Sequence, residues 1–142
     1  MNLSTEQRQR VEAIVYADTR AEAIAQVARL ASPEELHAVM LAHNWDSGLE
    51  VLVAILEHPL CERGTASMMY FFAQGPWTDI ASASPRHAEL IRRTSEKLLS
   101  GEMPERIISY CPDLGKVDLY KLRKAGVPEG LLRPSGPKPG SS

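Results

Sequence analysis

From its N-terminus the chain sets apolar residues three and four apart behind a series of hydroxyl-bearing starts. Ser4-x-x-Gln7, Thr19-x-x-Glu22 and Ser32-Pro33-Glu34-Glu35 have the layout of capping boxes, in which the hydroxyl accepts a backbone N–H and the later side chain reaches back to the cap. Helical spacing follows each of them: Val11, Ile14 and Val15; Ile24, Val27, Ala28 and Ala31; Leu36, Val39 and Met40. Their apolar stripes are narrow, which predicts three helices with wet outer faces.

The pattern then changes. Leu49 to Leu56 leaves almost no polar face, which predicts a central fourth helix with Asp46 as its N-cap and Pro59 beyond its end. Ala66 to Ala73 is equally apolar and reads as a second central helix, with a buried strand as the alternative that periodicity alone leaves open. Leu52, Ile55, Met69 and Phe72 are the expected core of this pair. Gly75-Pro76 breaks the chain, and Ser84-Pro85 restarts it with an N-cap and a proline in the first helical position. Ala88, Ile91, Ser95 and Leu98 then share a face as far as the Gly101 stop. Pro104 to Tyr110 is expected as a short seventh helix and Val117 to Ala125 as an eighth, ended by Gly126.

No strand-like alternation with a hairpin turn occurs, so the expected fold is all-α. It is a compact single domain of antiparallel helix pairs over 1–132, with a short helical solenoid of stacked pairs as the alternative, although no repeat of fixed period is present. The segment 133–142 is rich in Pro, Gly and Ser and is expected to be a disordered tail.

Length and composition agree with one soluble domain: 142 residues, 44% hydrophobic and 24% charged. No apolar run reaches the roughly 18 residues of a membrane span, and the first six residues lack the layout of a signal peptide, so a cytoplasmic location is expected. Cys61 and Cys111 are too few for a disulfide framework and have no zinc spacing. The net charge of −2 hides an asymmetry. Residues 1–60 carry four Arg and nine Asp/Glu, and residues 61–142 carry twelve Lys/Arg and nine Asp/Glu, so the first part stands at −5 and the second at +3.

The residues that carry most information join the two apolar segments: Asn44-Trp45-Asp46-Ser47-Gly48, then His58-Pro59-Leu60-Cys61-Glu62-Arg63-Gly64-Thr65-Ala66. This W-D-x-G, helix, H-P-x-C-x-x-G-T-A pattern resembles an uncharacterised bacterial family, domain of unknown function 4274, over about residues 36–76. The resemblance implies a bacterial source and supplies no activity.

His43, Asp46, His58 and Cys61 are the one group that invites an enzymatic or small-ligand reading, because an imidazole beside a thiol and an orienting carboxylate makes a nucleophilic site. The spacing favours structural roles instead. His43 falls on the stripe of the third helix, His58 before Pro59 is placed to tether its loop through a backbone bond, and Cys61 suits a small apolar plug. His-x-x-Cys offers only two metal ligands, so no metal and no cofactor are expected. Arg92-Arg93 and Lys121-x-Arg123-Lys124 lie on separate short helices without a nucleic-acid motif, and no glycine-rich phosphate loop is present.

The expected function is therefore a non-catalytic protein-binding domain, not an enzyme, with a protein partner and neither nucleic acid nor membrane. By analogy with small bacterial binding proteins, it is read as an immunity protein that neutralises a cognate antibacterial toxin. Trp45 is the candidate anchor. Asp46, Glu50 and Glu57, joined by Glu34 and Glu35, are the candidate acidic surface for a basic toxin domain. An enzyme or ligand binder using the His43/Asp46/His58/Cys61 region, and a helical scaffold in a larger assembly, are the alternatives.

Overall fold

The computed structural model describes residues 2–137. Eight α-helices run through them: α1 Thr5–Val15, α2 Arg20–Val27, α3 Pro33–Ala42, α4 Glu50–Glu57, α5 Arg63–Phe72, α6 Pro85–Ser100, α7 Lys116–Lys124 and α8 Glu129–Leu132. No strand forms among the described residues, apart from one isolated antiparallel bridge between Tyr110 and Ser135.

The local signals work as expected at four starts. Ser4, Thr19, Ser32 and Ser84 each accept a backbone N–H from the third residue onward, and at Ser4 the Gln7 side chain completes the capping box. Gly101 ends α6 in the left-handed conformation, as its C-terminal position requires.

The first five helices pack on the next but one, α1 on α3, α2 on α4 and α3 on α5, which is the neighbour relation of stacked helix pairs. α6 lies along α5, and α8 closes over α6. Leu36, Met40, Leu52, Ile55, Leu56, Met69, Leu90 and Ile91 fill the space between them and are fully buried. α5 is the centre of this arrangement, touching α3, α4 and α6.

Several expectations need correction. Asp46 is not the N-cap of the fourth helix. Asn44 takes the Asp46 N–H at 3.0 Å, a 3-10 turn occupies Trp45–Ser47, and α4 begins only at Glu50 without a side-chain cap. Gly48 makes the break, with φ at +109° and a position where a Cβ would stand 2.6 Å from the Glu50 carboxylate. Phe72 is not core: it is 48% exposed, because Phe71, one residue earlier on α5, turns inward in its place. On α6 the buried residues are Leu90, Ile91, Thr94 and Leu98, while Ala88 and Ser95 are half-buried.

The expected helix over 104–110 does not form. Its backbone is claimed by tertiary partners: one oxygen of the buried Glu62 accepts the N–H groups of Arg106, Ile107 and Ile108 at 3.0, 2.9 and 2.9 Å, and Tyr110 pairs with Ser135. The start of the expected disordered tail is docked, with Ser135 and Tyr110 exchanging two backbone bonds and Arg133 gripping Glu105 through both carboxylate oxygens. Residues 138–142 of that expected tail lie outside the described residues.

Candidate functional site

The loop 44–48 and the end of α5 meet at one corner of the molecule. Trp45, half-buried, lies 6.4 Å from Phe72 between ring centroids, tilted by 58°. Asp46, Leu49, Arg86 and His87 complete a shallow groove around the pair. His87 donates from Nε2 to the Ala73 carbonyl at 2.6 Å, which ties the start of α6 to the end of α5.

Gln74 closes α5 in the left-handed conformation, φ 61°, where glycine is the usual occupant. The glycine stands one residue later because only Gly75 fits there: a Cβ on it would fall 2.1 Å from the Tyr70 ring. The backbone at this corner therefore holds a conformation disfavoured for its side chain, at a cost of about 1–3 kcal/mol.

The acidic residues are distributed otherwise than a single stripe would have them. Glu35 is completely buried, accepting from Arg10 Nε at 2.7 Å and from the Ser32 hydroxyl at 2.8 Å. Burial pushes its carboxyl upward, but these bonds outweigh it and hold the group below the usual carboxylate range. Glu50 is shared by Arg20 at 3.3 Å and Arg86 at 3.6 Å, and Glu57 by Arg93 and Lys97, both at 3.4 Å. Glu34 is half-buried in the first turn of α3. Asp46 is exposed and lies off α4, so it does not share a helix face with Glu50 and Glu57. The charge asymmetry of the sequence is thus partly cancelled in space, because bases from α6 sit beside the acids of α4.

The group His43, Asp46, His58 and Cys61 is not assembled as a nucleophile and its base. His43 donates from Nε2 to the Gly48 carbonyl at 2.7 Å. His58 Nε2 donates to the Leu30 carbonyl and Nδ1 accepts the Leu60 N–H, both at 3.0 Å, so both ring nitrogens tether the loop. The Cys61 thiol is buried and pushed up to about 12, chiefly by desolvation, and its nearest hydrogen-bond partner is the Glu62 carbonyl at 3.8 Å. A thiol so held is protonated and packed. Among the described residues no three His, Cys, Asp or Glu side chains converge as a metal site would need.

The H-P-x-C-x-x-G-T-A stretch seats segments that follow it in the chain, from Leu98 to Gly130. Besides the Glu62 bonds, the Arg63 N–H donates to the Pro104 carbonyl at 2.9 Å, and its buried guanidinium reaches the carbonyls of Leu98 and Gly130. Gly64 lies so close to Ile108 that a Cβ would stand 2.7 Å from its carbonyl oxygen. Thr65 meets buried His37 at 2.8 Å. None of these roles has a local sequence signal, since each partner lies far along the chain.

Residues 31–99 match the model of a family described as Domain of unknown function (DUF4274), so the segment from the start of α3 to the end of α6 is a DUF4274 domain, longer than the 36–76 of the motifs. No curated protein and no solved structure matches the chain. The family segment contains Trp45, Phe72 and the whole Glu62–Thr65 seat, while α1, α2, α7 and α8 lie outside it.

Proposed function

We propose that this chain is a non-catalytic protein-binding domain and that its particular role is that of a bacterial immunity protein, neutralising a cognate toxin in the cytoplasm. The observation that carries the protein-binding reading is Phe72. α5 is otherwise sunk in the core, yet this ring stands 48% exposed at its end, paired with Trp45. Aromatic anchors are where binding energy concentrates. The toxin-neutralising role rests on the small single domain, the histidines committed to backbone and core bonds, and membership of a family without assigned chemistry; it is an analogy.

A second reading is favoured by one feature. A cleft of about 250 Å³ opens between α1, α2 and the 43–48 loop, floored by Ile14, Val39 and Val51 and rimmed by Arg20 and His43. Its volume lies just under the roughly 300–1,000 Å³ of ligand pockets, so a ligand it takes would be a small one.

The two readings separate experimentally. The tagged chain is used to capture partners from its native host, alongside the product of the neighbouring gene. Capture that Phe72→Ala abolishes while the helical spectrum is unchanged supports the first reading. Failure of the neighbouring product to bind removes the toxin role, and undiminished capture by Phe72→Ala removes the Phe72 surface. A ligand that shifts the NMR signals of Val39 and Val51 supports the second reading.

A further inference from the structure

Three lysines without an ion-pair partner among the described residues lie together on α7, outside the family segment. α7 is anchored by Leu122, which is buried, and Leu119, which is half-buried. At about 100° per residue, Lys116, Tyr120, Lys124, Val117 and Lys121 occupy an arc of about 140° on the opposite side. Val117 is 66% exposed and Tyr120 64%; none of the three lysines takes part in an ion pair among the described residues, and the Lys124 ammonium lies over the Tyr120 ring, 5.8 Å from its centroid. The acids nearby are placed at the margins: Glu129 is engaged by Arg123 on one edge, Asp118 lies at the other, and Asp113 precedes the helix.

The helix dipole explains Lys121, Arg123 and Lys124 in the last turn. It does not explain Lys116 in the first turn, where a cation is disfavoured, nor Val117 turned to water beside the Lys124–Tyr120 pair. We infer that this outward face of α7 is a docking surface for an acidic segment of another protein, with apolar side chains that seat on Val117 and Tyr120. The inference goes beyond the Phe72 reading and concerns a different surface. Charge complementarity requires a negative partner, and the face itself selects its class. Two apolar residues are too few to insert into a bilayer, and a molecule of net charge −2 with one aromatic on this face lacks the footprint of a nucleic-acid binder.

The test uses the full chain and a synthetic peptide of Glu and Asp residues carrying two leucines one helical turn apart. Its leucine-free counterpart, a duplex DNA and phosphatidylglycerol vesicles serve as rivals. The leucine-bearing peptide should shift the amide signals of 116–124 and bind more tightly than the leucine-free one. Lys121→Glu with Lys124→Glu should weaken it by about tenfold or more, as loss of complementary charge does. Val117→Ser with Tyr120→Ser should weaken it as well, and Phe72→Ala should leave it unchanged. Circular dichroism checks that each variant keeps its helices. The inference is overturned by absent shifts on α7, by tighter binding of DNA or vesicles through the same residues, or by a Val117/Tyr120 variant that binds as the parent does.

Discussion

Glu62 shows how much one side chain decides. Its carboxylate is buried at the start of α5 and accepts three consecutive N–H groups from a segment more than forty residues away. Glu62→Ala leaves those donors without an acceptor, and the expected loss in urea unfolding is about 3–5 kcal/mol. Glu62→Gln keeps an oxygen in place and should lose clearly less; equal losses would mean that the bonds contribute little. Glu35 gives a pH dependence. Its folded carboxyl lies below the usual 4.5, so its ion pair stabilises fully above the unfolded value and is lost as pH falls through the folded one. Melting temperature should therefore drop as pH is lowered below about 4.5, and less steeply in Glu35→Gln. An identical slope in that variant would assign the acid sensitivity elsewhere, with Glu105, held low by Arg133, as the next group to test.

At the scale of elements, α4 and α5 pose the same question of which side of an apolar helix faces the core. On α4 the acids Glu50 and Glu57 mark the outer side, so Leu52 and Ile55 were legible as core from the sequence. On α5 no charged residue follows Arg63, and the sequence does not distinguish Phe71 from Phe72. The two positions should respond differently. Leu52→Ala should cost about 2–5 kcal/mol through lost transfer energy and a cavity. Phe72→Ala should cost roughly 1 kcal/mol, the scale of its ring pair with Trp45. Thermal or urea unfolding of the two variants checks this, and a Phe72→Ala loss as large as that of Leu52→Ala would put Phe72 in the core after all.

For the whole molecule, the segment 133–136 is part of the fold. Ser135 exchanges two backbone bonds with Tyr110, and Arg133 grips Glu105 beside the buried Arg63. A chain ended after Leu132 should lose about 2 kcal/mol, the scale of two backbone hydrogen bonds. Unfolding of that shortened chain against the full one is the measurement, and an unchanged midpoint would make the docking incidental. The ion pairs between α4 and α6 act at the same scale but more weakly, because Arg93 and Lys97 are near 40% exposed where they meet Glu57.

The helices were legible because their signals are local. A hydroxyl three residues before a carboxyl or amide, a proline in the first turn and apolar residues three and four apart all act within one or two turns, so the starts at Ser4, Thr19, Ser32 and Ser84 and the stop at Gly101 could be read directly. The tethering role of His58 and the buried Cys61 were legible for the same reason, since a proline and a tight loop frame both. What only the tertiary structure decided is where side chains far apart in sequence find each other. Arg10 reaches Glu35, Arg63 reaches Gly130, and Glu62 draws 106–108 out of the helix their local pattern predicts. The acidic surface changed its meaning in the same way: Glu50 and Glu57 are free charges in a sequence, and become half of ion pairs once α6 lies beside α4. A buried polar group is satisfied by whichever partner the packing brings near, and that choice is made between elements, beyond the reach of any local pattern.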